Sequence, residues 1–250
     1  MAKQSGLGDQ LFIDGYDISG DVGSVDTLAT PMNPLEVTGI NKNAKERIGG
    51  QRDGSMEFMS FFNPAAGQVF QRLKLLPTTD VLATYFHGST IGNVAFGMTG
   101  KQANYDGSRG DDGSFTFKTS VLATPNGANW GEMLTAGKAT LGASGALSSY
   151  DYGASVGTTN FGAQAFLQVF AFTGTSATVA IQSSTDNGSG DAWANVTGLV
   201  FTAATGVTSE RIITSSTQAI ERYLRVNVTG TFSNLVFAVM VARNGVATSF

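Results

Sequence analysis

The feature that most constrains the fold is a short-range alternation of apolar and polar residues, which recurs along the chain between glycine-containing turns. Residues 115–121 show it most clearly. Because successive side chains of a β-strand point to opposite faces, one face receives Phe115, Phe117, Thr119 and Val121, and the other Thr116, Lys118 and Ser120. In residues 223–229 the same pattern predicts that Leu224, Val226 and Val228 face inward. The chain has 32 glycines, which suit turns better than helices. The sequence therefore predicts an all-β protein.

The strand-like segments fall into two groups, and a chain of 250 residues is long enough for two domains. Residues 1–140 form the first group, and residues 159–250 predict a C-terminal antiparallel β-sandwich. Between them, residues 141–158 are rich in glycine, serine and alanine. Such a composition is typical of a linker.

Local signals predict one hairpin turn and two helical segments. Asp14-Gly15 favours a primed two-residue turn, because both residues tolerate positive φ. Asn63-Pro64 is typical of a helix start, and the apolar spacing that follows predicts a helix to about Leu75. A second, shorter helical stretch is predicted around Trp130.

The segment from 39 to 54 is unusual because it concentrates charge in a chain of which only 14% is charged. It has glycines at both ends and in the middle, and strand-like segments precede and follow it. These properties predict a long loop that interrupts a sheet. One interpretation is a loop that becomes ordered against a partner, and the alternative is a solvated hairpin tip. The candidate contact residues are Ile40, Lys42, Lys45, Arg47, Ile48 and Arg52.

The strand predicted over residues 55–62 is apolar on both faces. A strand of this kind must be covered twice, once by its own domain and once by a helix or a neighbouring subunit. The candidate inter-subunit residues are Met56, Phe58 and Phe61.

Motifs for catalysis and metal binding are missing from the sequence. There is no cysteine, the single histidine His87 has no companion for a metal site, and no nucleophile elbow or phosphate loop occurs. Residues 186–191 (DNGSGD) resemble a polar hairpin tip more than a calcium loop, because the closing glutamate is absent. Trp193 and Tyr223 offer a possible sugar-stacking surface. We therefore expect no enzyme activity, no cofactor and no resident metal.

The net charge of −4 disfavours tight binding to a phosphate backbone, which requires surplus lysine and arginine. The sequence starts without an apolar signal segment, and its apolar runs are too short to span a bilayer. We expect a soluble protein made in a cytoplasm, with no membrane partner.

Taken together, four segments resemble the major tail tube proteins of long-tailed bacteriophages, particularly those that infect actinobacteria. The segments are GLGDQLFIDGYDISGDVGSV (6–25), LEVTGINKNAKERIGGQRDGSMEFMSFFNP (35–64), ANWGEMLTAGK (128–138) and TGTFSNLVFAVMVARN (229–244). The segment at 35–64 is the most specific, and the last one resembles the C-terminal domains appended in that group.

The resemblance implies a tail tube domain built as a β-sandwich or barrel with one flanking α-helix. It implies hexameric rings that stack into a tube, with the tape-measure protein and DNA passing through the lumen without sequence-specific binding. In such proteins the long loop reaches the adjacent ring. Tail terminator and tail tip proteins are further implied partners, and the implied location is the virion, reached after assembly in the host cytoplasm. The alternative function is a carbohydrate-binding or adhesin module of a tail or tail tip.

Overall fold

The computed structural model describes residues 6–248, which form an almost entirely β protein. This confirms the predicted all-β class. The strands are β1 (Gln10–Ile13), β2 (Tyr16–Asp17), β3 (Val22–Ala29), β4 (Leu35–Glu36), β5 (Arg47–Ile48), β6 (Ser55–Phe61), β7 (Val81–Phe86), β8 (Val94–Arg109), β9 (Phe115–Met133), β10 (Ala139–Leu141), β11 (Gly145–Ala146), β12 (Tyr150–Asp151), β13 (Ala163–Ser184), β14 (Ala194–Val200), β15 (Thr208–Ile213) and β16 (Tyr223–Arg243). A 3-10 turn (Ser19–Asp21) and one α-helix, α1 (Val69–Leu73), complete the described part.

One branched antiparallel sheet contains all the strands except β4 and β5. Its main path runs β14-β13-β16-β9-β8-β7-β1-β2, and β6 joins it by pairing with both β3 and β9. The strands β10, β11 and β12 pair with β16, and β15 pairs with β13. Strands β4 and β5 form a separate two-stranded ribbon.

The primed turn between β1 and β2 is confirmed. Asp14 has φ 47° and Gly15 has φ 77°, and Ile13 pairs with Tyr16 across the turn. Both central residues of a type I′ turn require positive φ. The Asp14 carboxylate also accepts the Leu82 backbone N–H at 2.7 Å and forms an ion pair with Arg72, so this turn is fixed to β7 and to α1.

Three buried clusters make up the core. The first fills the C-terminal half, and the second fills the N-terminal half around Met56, Phe58 and Phe96. The third lies between the halves, where Phe12 and Phe86 meet Phe166 of β13 and Met240 of β16. Alternate residues of β13 therefore face two different cores, and the two halves pack directly against each other.

The predicted helices are largely wrong. The helix expected from Asn63-Pro64 to about Leu75 is confined to Val69–Leu73. Gly67 has a positive φ of 78°, which interrupts a helix, and the Asp21 carboxylate accepts the Val69 N–H at 3.2 Å. The helical stretch expected around Trp130 is part of β9, where Trp130 pairs with Phe96 of β8. Pairing with a neighbouring strand overrides the local helical pattern there.

The C-terminal half uses fewer and longer strands than the pattern predicts. The sequence pattern predicts separate strands at 167–172 and 177–184, but both belong to one strand, β13. It also predicts separate strands at 222–230 and 234–243, and both lie largely in one strand, β16. Gly174, with a φ of 154°, lies where the register between β13 and β16 shifts. It absorbs the bulge without ending the strand. The inward orientation predicted for Leu224, Val226 and Val228 is confirmed.

The segment predicted as a linker, 141–158, is not a free tether. Leu141 pairs with Leu235, Ala146 with Asn227 and Tyr150 with Leu224, so this part of the chain follows β16. The edge of β16 needs hydrogen-bond partners, and a small-residue segment can lie along it without steric conflict. The division into residues 1–140 and 159–250 stays a prediction.

Three half-buried ionisable side chains, Glu132, Tyr152 and Arg243, interact near the end of the 141–158 segment. The Tyr152 hydroxyl donates to Glu132 Oε2 at 2.8 Å, and the Arg243 guanidinium lies 4.4 Å from the centre of the Tyr152 ring. Burial raises the pKa of Glu132, and the Tyr152 hydrogen bond and the Arg243 charge only partly oppose it.

We expect the free energy of unfolding to fall as pH rises from the ordinary glutamate pKa of 4.5 through the raised pKa of Glu132. The folded state binds more protons than the unfolded chain in this window, so stability is greatest below it. Glu132→Gln should flatten this part of the profile, measured by urea unfolding between pH 4 and 8. Asp151→Asn is the control, because the Arg222 hydrogen bond lowers the pKa of Asp151 to about 2. An unchanged slope in Glu132→Gln would contradict the assignment.

Candidate functional site

Residues 30–53 form a projecting β-hairpin, here called the arm. Leu35 pairs with Ile48 and Glu36 with Arg47, and the Val37 N–H donates to the Glu46 carbonyl at 2.9 Å. Nearer the body, a bridge joins Met32 to Arg52. The prediction of a long loop is therefore wrong, because the segment is a hydrogen-bonded ribbon. Its residues are exposed to solvent, which agrees with the alternative prediction of a solvated hairpin.

The arm carries aliphatic side chains that the rest of this chain leaves uncovered. Ile40 at the tip is fully exposed. About half of the surface of four further side chains is also exposed, those of Met32, Leu35, Val37 and Ile48. Exposed apolar side chains grouped on one projecting element mark an interaction surface.

Most charges of the arm are satisfied within it. Lys42 pairs with Glu46 at 3.0 Å, and Lys45 pairs with Glu36 at 2.9 Å. These lysines stiffen the ribbon, although exposed pairs add little stability. Among the described residues, Arg47 is in no salt bridge, so its charge remains available at the surface.

Arg52 has a different location from the one predicted for a contact residue. Its Nη2 donates to the Ala128 carbonyl at 3.2 Å and to Asn129 Oδ1 at 3.0 Å. Next to it, a Cβ on Gly54 would lie 2.4 Å from the Ala128 Cβ, so only glycine fits. Arg52 therefore anchors the base of the arm to β9.

The anchor continues into the C-terminal half through buried amides. Asn129 and Gln164 exchange two side-chain hydrogen bonds, of 3.1 and 2.9 Å. Gln164 Oε1 also accepts from the Arg211 guanidinium, with Nε at 3.1 Å and Nη2 at 2.5 Å. Burial, together with the nearby Arg52 charge, lowers the pKa of Arg211 to about 10. The orientation of the arm base thus depends on β13 and β15.

Gln164→Leu is expected to lower the free energy of unfolding by about 2 to 4 kcal/mol, because it leaves Asn129 and Arg211 without their acceptor in a buried site. Gln182→Leu is the matched control. Gln182 accepts from the Arg225 guanidinium at 2.9 and 2.8 Å near the surface, so its loss should cost less than about 1 kcal/mol. Urea unfolding measures the loss in free energy of unfolding for each variant. Equal losses would contradict the idea that burial of Gln164 makes its hydrogen bonds more important for stability.

A four-stranded antiparallel sheet next to the arm has two free edges. Its order is β3-β6-β9-β8, formed by the first half of β9 and the second half of β8. In the described part of the chain, β3 pairs only with β6, and residues 101–109 of β8 pair only with β9. Exposed edges of this length invite pairing with another chain.

The two faces of β6 differ sharply. Met56 and Phe58 are completely buried in the protein's own core, whereas Phe61 is 54% exposed on the opposite face with Met59. The structure thus separates the three residues predicted for subunit contact. Met56 and Phe58 are core residues and are not available to a partner, and Phe61 remains on the surface.

Other residues singled out in the sequence have local roles. His87 Nδ1 lies 2.9 Å from Asp9 Oδ1. Trp193 is stacked by the Arg225 guanidinium at 4.3 Å, which covers one face of the ring. Asp186 accepts the backbone N–H groups of Ser189 and Gly190, as a turn-stabilising carboxylate does.

Within residues 6–248, no cluster of three or more potential metal ligands occurs. Over the same range, every helix is too short to cross a membrane.

No protein-family model and no curated protein matches the chain. Among solved structures, a protein of the native gene transfer agent virion is 12% identical with a TM-score of 0.42, over 49% of this chain and 95% of that one. The cap that terminates the anti-feeding prophage tube is 9% identical with a TM-score of 0.42, over 53% and 95%. The Dit protein of phage SPP1 is 12% identical with a TM-score of 0.32, over 93% and 98%. At such low identities and TM-scores, these similarities decide neither the family nor the function.

Sequence reasoning missed the free edges and the buried amide network. Whether an edge stays unpaired depends on residues elsewhere in the chain, and the end of β8, residues 106–109 (DGSR), is typical of a polar turn in sequence although it is part of the strand. The glutamines at 164 and 168 were a usable signal, since both fall on the apolar face of a strand and both are buried.

Proposed function

We propose that this chain is a structural subunit of a bacteriophage tail, and more specifically the tail tube protein, which forms hexameric rings that stack into a tube. The observation that carries the proposal is the four-stranded sheet with a free edge on each side. In this sheet β3 and β8 run in opposite directions, so the β3 edge of one copy suits the β8 edge of the next. Their contact extends an antiparallel sheet.

Repeating that contact generates a ring. The β3 and β8 edges are different surfaces, so the contact is heterologous and closes when the rotation per subunit divides a full turn. Closure removes both free edges, which makes the ring more stable than the isolated copy. The number six comes from the sequence resemblance to tail tube proteins.

The exposed face of the sheet suits the wall of a conduit. It mixes small polar residues with the exposed apolar side chains of Met59, Phe61 and Leu122. Its ion pair between Lys118 and Glu57, at 3.1 Å, adds no net positive charge. A surface without surplus cations does not hold the phosphate backbone, so DNA and the tape-measure protein would slide past it. The remaining surface of the ring would meet the tail terminator and tail tip proteins, with the C-terminal half outside.

Concentrated purified protein should form rings or tubes visible by negative-stain electron microscopy, with matching high-mass species in sedimentation velocity. Assembly should need no other protein, because both edges are present in one chain. A monomer at every concentration, with bound glycan on an array, would overturn the proposal in favour of a binding module.

A further inference from the structure

A cleft opens beside the start of the free β3 edge. Its volume is about 490 Å³, and it is lined by the first residues of β3, by the segment that leads into β1, and by Tyr85 of β7. Asp9 carries the only charged side chain among the described residues that line it. The cleft therefore places one negative charge next to a strand edge that has no partner within the described part of the chain.

Asp9 is held in a fixed orientation by three contacts. Its Oδ1 accepts the Gly88 backbone N–H at 3.0 Å and lies 2.9 Å from His87 Nδ1, and its Oδ2 accepts the Tyr85 hydroxyl. The Asp9 side chain is still 18% exposed. A carboxylate has about four lone-pair sites, so Oδ2 can accept one further hydrogen bond inside the cleft. Arginine suits this site, because its guanidinium is always charged and carries several donors.

Rows of paired residues cross the four-stranded sheet from one free edge to the other. Val22 of β3 shares a row with Gly107 of β8, and Ala29 shares a row with Lys101. The two free edges therefore span the same rows. When the edges of two copies pair level with each other, every row continues into the next copy, whereas a stagger leaves backbone groups unpaired at one end of each edge. The level arrangement places Gly107 of one copy opposite Val22 of the next.

Arg109 is the last residue of β8, two positions beyond Gly107. Because the contact is antiparallel, Arg109 extends past Val22 of the next copy, towards the 3-10 turn that precedes β3. Ser19 of that turn lines the cleft. Arg109 is exposed and, among residues 6–248, in no salt bridge. An arginine without a carboxylate partner thus arrives at the mouth of the cleft.

The side chain of Arg109 is on the cleft side of the sheet. Arg109 pairs with Phe115, and directly paired residues share a face. Phe115 lies on the same face as Val121, which is buried in the N-terminal core. Val25 packs against that core and lines the cleft. Because a continuous sheet keeps its faces from one copy to the next, the guanidinium lies on the side where the cleft opens.

The other charges near this contact are carboxylates. In the level arrangement, Asp106 of one copy lies opposite Ser24 of the next, whose hydroxyl donates to Asp26 at 2.8 Å. Asp111 and Asp112 follow in the exposed turn beyond the sheet. Like charges that face each other oppose association, so the contact requires a compensating cation.

We propose that the cleft receives Arg109 of a second copy of this chain, the neighbour in the same ring. This inference rests on the proposed function and specifies the register of the contact between the β3 and β8 edges. The Arg109 guanidinium donates to Asp9 Oδ2 while Gly107 of its own copy lies opposite Val22. A shift of the edges by two residues moves the guanidinium by roughly 7 Å, which breaks this hydrogen bond. The ion pair therefore selects the level register.

Paired cysteines test the register directly, because the chain has no cysteine of its own. Ser24→Cys with Asp106→Cys places both thiols in one row across the contact, where paired Cα atoms lie about 5 Å apart and a disulfide can form. Within one copy the two positions are three strands apart, roughly 14 Å, so any link joins two copies. Oxidation should give a ladder of linked copies on a denaturing gel without reductant.

Ser24→Cys with Ser108→Cys is the matched control for the cysteine pair. All three positions are exposed, but Ser108 lies two residues farther along β8. This displacement separates the Cα atoms by more than about 7 Å, beyond the reach of a disulfide. The control should therefore remain unlinked under the same oxidation.

A double-mutant cycle tests the ion pair itself. Arg109→Gln and Asp9→Asn should each raise the concentration needed for ring formation by about tenfold, and the double variant should raise it no further, because both remove one interaction. Arg222→Gln is the control. It removes the same charge from an exposed pair with Asp151 in the C-terminal half, so rings should form at the normal concentration. Sedimentation velocity measures ring formation.

The outcomes separate the two proposals. Ring formation by Arg109→Gln at an unchanged concentration, or a ladder from the control cysteine pair and none from the level pair, would overturn the assignment of the cleft. Rings of the unmodified protein would then leave the tail tube proposal standing. If Asp9→Asn does not fold, Arg109→Gln and the cysteine pairs still decide. Failure of the unmodified protein to form rings would overturn both proposals.

Discussion

A variant that lacks residues 41–51 is expected to remain folded but to form no tubes. Every residue removed is exposed except Gly50, which is half-buried, and the deletion retains Arg52, which anchors the arm base through Asn129. Residues 33–40 can then cross to Arg52 as a short surface loop, at a small cost in loop-closure entropy. The deletion removes Arg47 and Ile48 and displaces Ile40, so the contact with the next ring is lost.

Negative-stain microscopy of the deletion variant measures the effect, and urea unfolding under dilute conditions shows whether the body stays folded. The control is Lys42→Ala with Glu46→Ala, which breaks only an ion pair inside the arm. That variant should still form tubes, because exposed pairs contribute under about 1 kcal/mol. Normal tubes from the deletion variant would remove the arm from the mechanism.

The second large effect is expected from Phe58→Ala. Phe58 is completely buried at the centre of β6, among side chains of the N-terminal core. Truncation of a buried phenylalanine to alanine costs about 3 to 5 kcal/mol, through lost burial and the cavity left behind. We expect a loss of this size in the free energy of unfolding, measured with urea at concentrations too low for assembly.

Phe61→Ala is the matched control for that experiment, since it makes the same chemical change on the same strand. Phe61 lies on the exposed face, so its truncation should cost less than about 1 kcal/mol in the isolated chain. Similar costs for the two variants would mean that the assignment of faces on β6 is wrong. The comparison therefore tests the register that places one face of this strand in the core and the other at the surface.

If both results hold, the chain combines a rigid body with an interaction element that adds little to its stability. The buried contacts of Phe58 and the hydrogen-bond network around Gln164 stabilise the body. The exposed side chains of the arm contribute little to folding, so they can serve assembly instead. The Arg52 to Asn129 contact joins the two, because it fixes the base of the arm to β9 and, through Gln164, to the C-terminal half. The C-terminal half thus helps to set where the arm starts.

Some properties were encoded locally and could be predicted from the sequence. The alternating pattern defines the faces of the strand at 223–229, and the positive φ tolerated by Asp14-Gly15 defines the first hairpin. The dense charge of residues 39–54 places that segment at the surface, because charged side chains are rarely buried without partners. Each of these depends on residues close together in sequence.

The remaining properties depend on residues far apart in sequence, so only the tertiary structure decided them. Pairing with β8 makes a strand of the segment around Trp130, and pairing with β16 turns the expected linker into short strands. Met56 and Phe58 face the protein's own core because α1 and β8 lie on that side of β6. Which edges stay unpaired depends on where every other strand lies. A local pattern specifies which side chains share a face, whereas the free energy of long-range pairing and burial determines what covers that face.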